Sequence, residues 1–322
     1  MLAAVAAAGG WEWGETEAHD PIGRPLLARW LRSSSADRAV VEMAEASGLS
    51  RLAASERDAR GATSDGTGDV LRAVLDAGVR RITIGIGGSA TTDGGSGVLR
   101  ALGAGISAAG RARAAVELAG LDARLAEVDL SVASDVTNPL LGPDGAAAVY
   151  GPQKGASPAD VAALEEALSA WADALETTTG RRERETPGAG AAGGVGFALL
   201  CLRDRLRSLA FRPGIELVME LTGFEAALDG ADLVLTGEGR IDAQTAFGKT
   251  AAGVARRAQA RGIRCVAVGG SVDPAGTAAL RALGAEAVPV WDTPVSLDVA
   301  IAAGSAPIVA CGARLSRMAL VD

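Results

Sequence analysis

Four times in this chain a short run of β-branched and other apolar residues is followed by a helical pattern. RITIGIG (81–87) precedes GSGVLRALGA, ADLVLTG (231–237) precedes KTAAGVARRAQA, IRCVAVGGS (263–271) precedes PAGTAALRALG, and AEAVPVWD (285–292) leads to a helix around 297–318. Parallel strands need a crossover between them and a helix supplies it, so the alternation predicts an α/β protein with a largely parallel sheet. The C-terminal third is regular in this sense, and the middle is not. There VDLSVASDVTNP (128–139) reads as a strand running into a polar loop. SPADVAALEEALSAWADAL (157–175) reads as a helix in which Ser157 caps the start, Pro158 suits the first turn and Asp160 favours the positive end of the dipole. TTTGRRERETPGAG (177–190) combines charge, glycine and proline and reads as an exposed loop. AAGGVGFALLCL after it reads as a buried helix that begins close to another backbone, where glycine is needed.

Composition removes whole classes of function. The 322 residues carry 31 Lys+Arg against 39 Asp+Glu, a net charge of -8, so no general basic field attracts nucleic acid or an anionic membrane. Aromatics make up only 3%, which leaves few platforms for stacking bases. Cys201, Cys265 and Cys311 are odd in number and far apart, matching neither a disulfide framework nor a zinc spacing, and a reduced cytoplasm is the expected location. MLAAVAAAGG lacks a basic flank and reads as a helix fragment, and no uncharged apolar run approaches the ~20 residues needed to span a bilayer. One histidine, His19, stands alone in a polar loop and is read as structural. Its isolation removes most Ser-His-Asp, Cys-His and multi-histidine metal schemes, and acid–base chemistry is expected to fall to carboxylates or lysine.

Two segments invite a phosphate. AQTAFGKT (243–250) ends like a nucleotide-binding P-loop, but Ala243 occupies the first glycine position and the preceding strand is expected to end near Thr236, leaving too long a connection for a compact cradle. An ATPase built on that segment is therefore the weakest reading, although Lys249 opens a helix and can meet an anion. GIGGSATTDGGSG (85–97) fits better, since it lies between a strand and a helix and supplies Gly87, Gly88, Ser89, Thr91 and Thr92 in a run. A tight strand–helix turn would use the same glycines. SDVTNPLLGP (134–143) places Asp135 and Asn138 just past a strand end, where ligands collect in parallel sheets, and an Asx-turn before Pro139 is the alternative. GEGRID gathers Glu238, Arg240 and Asp242, with carboxylates suited to Mg²⁺ and a guanidinium suited to carboxylate or phosphate; a surface ion-pair cluster would look the same.

Taken in order, IGIGGSATTDGGSGVLRALGA, SDVTNPLLGPDGAAAVYGPQKGAS, PGAGAAGGVGFAL and LTGEGRIDAQTAFGKTAAGVA closely resemble the bacterial glycerate kinases of the first family, with EMAEASGL (42–49) and SDGTGDVL (64–71) as earlier signatures. The resemblance runs from about residue 2 to the C-terminus. It implies transfer of the γ-phosphoryl group of ATP, with Mg²⁺, to a hydroxyl of D-glycerate, most often giving 2-phosphoglycerate. It also implies a two-domain α/β fold: a Rossmann-like parallel-sheet domain from 1–15 and 229–322, and a second α/β domain from 16–228, with phosphate chemistry in loops between them. On this basis Asp135 is expected as base or orienter, Glu238 and Asp242 at the metal, and Asp242 and Arg240 in catalysis. Arg240, Lys249 and Lys154 are expected on glycerate carboxylate or phosphate, with Asn138 and the run Gly87 to Thr92 lining the anion site. The family's Pro-Asp-Ser-Phe-Lys and Met-Ala-Asp-Gly-Gly-Glu-Gly-Thr motifs do not occur in this sequence, so an N-terminal strand–helix–strand unit is expected to be missing. The rival expectation is a truncated, inactive remnant that binds a ligand or a partner.

Overall fold

The computed structural model describes residues 1–107, 115–246 and 250–319. Two compact units follow one another along the chain, Met1–Val218 and Met219–Asp322.

In the first unit a six-stranded sheet has the order β1-β2-β3-β4-β7-β8. Strands β1 (Trp11–His19) and β2 (Pro25–Ser33) form an antiparallel hairpin. Its turn is an Asx-turn: Asp20 Oδ1 accepts the backbone N–H groups of Ile22 and Arg24, both at 2.9 Å, and Gly23 takes the left-handed conformation at φ 85°. Strand β3 (Arg38–Glu42) runs antiparallel to β2, and β4 (Arg81–Gly85) is parallel to it. After a small ribbon of β5 (Gly105–Ser107) and β6 (Ala115–Glu117), strands β7 (Asp129–Ala133) and β8 (Ser208–Arg212) extend the parallel part.

Alternation places Ile82 and Ile84 of β4 and Leu130 and Val132 of β7 in one core with Val70, Leu71, Val74 and Leu75 of the helix Asp65–Asp76. Each such side chain contributes about 1.5–3 kcal/mol when fully buried. The helix Val195–Cys201, all seven residues buried, joins this core, as its apolar sequence predicts. The helix Pro158–Thr179 starts with the expected reciprocal cap: Ser157 Oγ accepts the Asp160 N–H at 3.2 Å and Asp160 Oδ2 accepts the Ser157 N–H at 3.1 Å. It buries Leu164, Leu168, Trp171 and Leu175. The apolar start forms the expected helix, Leu2–Ala7. Residues 1–15, expected with the C-terminal domain, lie in the first unit, where this helix packs against β1, β2 and β3.

Residues 177–190 are in part the exposed loop that their composition suggests, with Thr177, Thr178, Gly180, Arg182, Glu185 and Pro187 exposed, but Glu183 and Gly188 to Gly190 are buried. The helix runs on to Thr179, and Glu176 at its end is buried. Glu176 Oε1 accepts the N–H groups of Glu183 and Arg184 at 2.8 and 3.0 Å, and Oε2 accepts from the Arg184 guanidinium at 2.8 Å. Burial opposes ionisation of this carboxyl, but the Arg184 guanidinium and the two backbone donors outweigh it and hold Glu176 below its ordinary pKa. Glu183 and Arg184 thus fasten the chain down, while Arg182 and Glu185 stay exposed.

The second unit has a three-stranded parallel sheet, β11-β10-β9. Its strands are β9 (Leu233–Ile241), β10 (Arg264–Val272) and β11 (Ala285–Pro289), connected by the helices Thr250–Ala260 and Pro274–Ala282. The final helix comes in two pieces, Leu297–Ala302 and Ala306–Ala319, separated at Gly304 in a left-handed turn (φ 59°). Strand β9 continues five residues past Thr236, so Gly237, Glu238, Gly239 and Arg240 belong to the strand and not to a loop after it. Among the described residues no helix is long and apolar enough to cross a membrane.

Candidate active site

Strands β4 and β7 are parallel neighbours, and beyond their C-terminal ends the chain forms a pocket of about 570 Å³. Gly87, Gly88 and Ser89 line it from the β4 side, Ser134, Asp135 and Val136 from the β7 side, and Tyr150, Gln153, Lys154, Ala191 and Ala192 from later segments. Polar groups from four stretches of sequence thus meet where a parallel sheet offers its ligand position.

The glycine-rich loop is held from several directions. Leu49 N–H donates to the Gly88 carbonyl at 2.8 Å and Ala90 N–H to the Ser47 carbonyl at 3.0 Å, so the segment EMAEASGL serves as its brace. Trp171 Nε1 donates to the Gly94 carbonyl at 2.9 Å. Gly193 and Gly196 are needed for close approach: a Cβ on Gly193 would lie 1.9 Å from the Thr91 carbonyl oxygen, and one on Gly196 would lie 2.1 Å from that of Gly188. The run GAGAAGGVG therefore backs the loop at a distance only glycine permits. Ala192 within that run is left-handed (φ 54°, ψ 37°), a conformation costing a non-glycine residue about 1–2 kcal/mol, and it faces the pocket.

Lys154 is 1% exposed. Its Nζ donates to Ser89 Oγ at 3.1 Å and to the Thr91 carbonyl at 2.6 Å, both neutral acceptors. Burial pulls its pKa down to about 8, with the Asp93 carboxylate acting in the opposite direction. The ammonium is therefore charged at neutral pH yet poorly compensated, which suits it to an anionic ligand. Asp135 is exposed at the end of β7, and its Oδ1 accepts the Gly214 N–H at 2.9 Å.

Not every expected site residue lines this pocket. Thr91 and Thr92 are buried beneath the loop, and their hydroxyls have no hydrogen-bond partner among the described residues; Thr91 contributes its carbonyl to Lys154 instead. Asn138 secures the wall: its Nδ2 donates to the Asp144 carbonyl at 2.8 Å and its Oδ1 accepts from the Tyr150 hydroxyl at 2.6 Å. Tyr150, the single tyrosine of the chain, was not singled out by sequence reasoning, although it opens the YGPQKG stretch that carries Lys154. His19 lies elsewhere, with Nδ1 2.8 Å from Asp69 Oδ2.

The second unit carries its own polar cluster. Thr245, fully buried, donates through Oγ1 to Glu238 Oε2 at 3.1 Å and accepts the Asp242 N–H at 3.1 Å. Arg240 Nε lies 3.3 Å from Asp242 Oδ2, and Asp242 Oδ1 accepts the Gln244 N–H at 2.9 Å. Thr245 was also missed as an individual residue, and only its place in the GEGR-D-QT stretch pointed to it. Lys249 lies outside the described residues. Among the described residues no group of three or more His, Cys, Asp or Glu could hold a metal ion by itself. Burial pushes the Cys201 thiol up to about 12 and Cys265 to about 11, so neither is a nucleophile.

Comparison with known proteins identifies the family. The family model described as "Glycerate kinase family" matches residues 1–320. Glycerate kinase of Bacillus subtilis (strain 168) is 44% identical over 263 residues, 78% of this chain and 68% of that protein. Glycerate 2-kinase of Escherichia coli (strain K12) is 40% identical over 264 residues, 78% of this chain and 68% of that protein. The crystal structure of a Salmonella typhimurium LT2 protein carrying the designation glycerate kinase 2 superposes with a TM-score of 0.79 at 38% identity, covering 99% of this chain and 87% of that one. With the family model matched over residues 1–320, this chain belongs to the glycerate kinase family.

Proposed function

We propose that the protein catalyses ATP-dependent phosphorylation of D-glycerate at a hydroxyl group, giving a phosphoglycerate, with the 2-phospho product expected from the family resemblance. The observation that carries this reading is the convergence of Gly87, Gly88, Ser89, Asp135 and Lys154 on one pocket at the ends of β4 and β7. Phosphoryl transfer demands in-line positioning and charge stabilisation more than covalent chemistry, and those residues supply both. The Lys154 ammonium takes the carboxylate of the acid, and the backbone donors of the Gly87–Ser89 turn face the transferring oxygens. Asp135 Oδ1 is held by the Gly214 N–H, and Oδ2 accepts the proton of the attacking hydroxyl.

The cluster of Glu238, Arg240 and Asp242, together with Lys249, is assigned to the nucleotide. Mg²⁺ enters as part of the Mg·ATP substrate, held chiefly by phosphate oxygens with one or two carboxylates completing its shell. Glu238 suits that role better than Asp242, which is already engaged by Arg240. The three buried, free cysteines accord with a cytoplasmic setting.

The test is ADP formation by the purified chain with Mg·ATP, with and without D-glycerate. Glycerate-dependent turnover is expected; phosphate release that ignores glycerate, or no turnover in a folded protein, overturns the reading. Asp135→Asn in the active protein is expected to lower kcat about 10²–10⁴-fold with a much smaller change in KM, as loss of a general base does. Unchanged kcat would remove Asp135 from the mechanism.

A further inference from the structure

Protons in the wall of the pocket have definite places, because each hydrogen bond leaves its partner only one role. The Asp144 carbonyl can only accept, so the Asn138 amide presents its NH₂ group there, at 2.8 Å. Asn138 Oδ1 then faces Tyr150, 2.6 Å from the phenol oxygen, and an amide oxygen can likewise only accept. The Tyr150 proton therefore points at Asn138. Burial pushes the phenol above its ordinary pKa, so this proton stays in place at neutral pH. Among the described residues nothing else engages the Tyr150 hydroxyl, whose oxygen is left with lone pairs alone.

Ser89 and Lys154 have the opposite polarity. An ammonium has three N–H donors, and those of Lys154 meet Ser89 Oγ at 3.1 Å and the Thr91 carbonyl at 2.6 Å, leaving one without an acceptor among the described residues. Ser89 Oγ accepts from that ammonium, so its own proton is available to donate. Both residues line the pocket, as do Asp135 and Tyr150. Ser89 and Lys154 thus offer donors, suited to a carboxylate, while Asp135 Oδ2 and the Tyr150 oxygen offer acceptors, suited to hydroxyl groups. Ser134 and Gln153, also in the lining, can serve in either role. A small acid with one carboxylate and two hydroxyls matches this set group for group. With the carboxylate on Lys154 and the reacting hydroxyl on Asp135, the second hydroxyl is left for Tyr150.

We propose that Tyr150 is a specificity-determining residue: its hydroxyl oxygen accepts a hydrogen bond from the non-reacting hydroxyl of the acceptor, and so selects a dihydroxy acid over an analogue that lacks this group or carries a second carboxylate in its place. This rests on the kinase reading of the pocket with its 2-phospho product, for which the non-reacting hydroxyl is the terminal one. An oxygen that holds only lone pairs repels a carboxylate as surely as it attracts a hydroxyl, so the residue selects by exclusion as well as by attraction.

The experiment is calorimetric titration of the intact chain, without nucleotide, with D-glycerate and three analogues. D-Lactate has a methyl group where D-glycerate has its hydroxymethyl, tartronate has a second carboxylate there, and 3-hydroxypropanoate keeps the terminal hydroxyl and lacks the other. Wild type should bind D-glycerate at least several-fold more tightly than D-lactate or tartronate. Tyr150→Phe keeps the ring and loses the acceptor, so affinity for D-glycerate and 3-hydroxypropanoate should fall about 3–10-fold while that for D-lactate stays within about twofold. Asn138→Ala releases the Tyr150 proton, and tartronate should gain about 3–10-fold relative to D-glycerate. Equal losses for D-glycerate and D-lactate in Tyr150→Phe make the tyrosine a piece of the wall only and overturn the proposal, as does no loss for either. Should that variant not fold, an unchanged ratio of tartronate to D-glycerate affinity in Asn138→Ala overturns it equally. Folded wild type that binds none of the four acids overturns the kinase reading itself, whereas wild type that binds D-glycerate no more tightly than D-lactate overturns only the role given to Tyr150.

Discussion

After Gly85 the chain leaves the sheet at once and turns into the pocket, whereas after Thr236 it stays in the sheet for five more residues. Both continuations are rich in glycine: IGGSATTDGG in one case, GEGRI in the other. Glycine permits either course, and the partner for the backbone decides. Past Thr236 the neighbour is β10, itself prolonged through GGSV, and the two stay in register from Gly237 opposite Val268 to Ile241 opposite Val272. Past β4 no strand among the described residues offers such a ladder. Ser47, Leu49 and Gly193 take the backbone groups of the loop instead, at Ala90, Gly88 and Gly94. One glycine-rich end becomes a bent loop lining the pocket and the other a strand that presents Glu238 and Arg240 in extended conformation.

Substitutions at the two ends should separate them. The largest effect is expected for Gly193→Ala, which puts a Cβ 1.9 Å from the Thr91 carbonyl oxygen at a left-handed position (φ 68°). Overpacking and backbone strain together cost about 2–5 kcal/mol, read as a lowered urea midpoint with unchanged slope, and D-glycerate binding should fall with it. Next comes Thr245→Val in the second unit, which leaves the Asp242 N–H without its acceptor and Glu238 Oε2 without its donor. A buried group left unsatisfied costs about 1–3 kcal/mol, and D-glycerate affinity in the absence of nucleotide should be unchanged. Ala192→Gly should raise stability by about 0.5–1 kcal/mol, the relief of left-handed strain offset in part by the greater freedom of glycine in the unfolded chain. The smallest effect is expected for Gly239→Ala, where a Cβ meets nothing within 4 Å and stability should change by no more than about 0.5 kcal/mol. A large loss there would show that the extended strand end is as tightly packed as the bent one.

Much of this fold was legible because its signals are local. The cap at Ser157, the buried helix after the glycine run and the strands β4, β7, β10 and β11 all follow from period, caps and β-branched runs. The hairpin of β1 and β2 went unread, although Asp20 to Gly23 is a turn signal between two alternating stretches; tryptophan, glutamate and arginine hide the alternation because their long side chains cover the sheet while still reaching water. The loop after the helix Pro158–Thr179 was read only in part, for a related reason. Charge normally marks solvent, but Glu176 and Arg184 satisfy each other inside.

The candidate site divides in the same way. Glycine, aspartate and lysine in the motifs around Gly87, Asp135 and Lys154 could be named from the sequence, since residue type limits what each can do: closely approach an anion, accept a proton, or carry positive charge. Their convergence could not, because Ser89 and Lys154 are 65 residues apart and meet only through the packing of several elements. Whether Thr91 offers a hydroxyl to a ligand or a carbonyl to a lysine, and whether GEGRI is loop or strand, depended on which distant backbone reached those groups first. Residue type and short-range pattern set the chemistry available to this chain, while the long-range competition for hydrogen-bond partners decided which of those groups face the pocket.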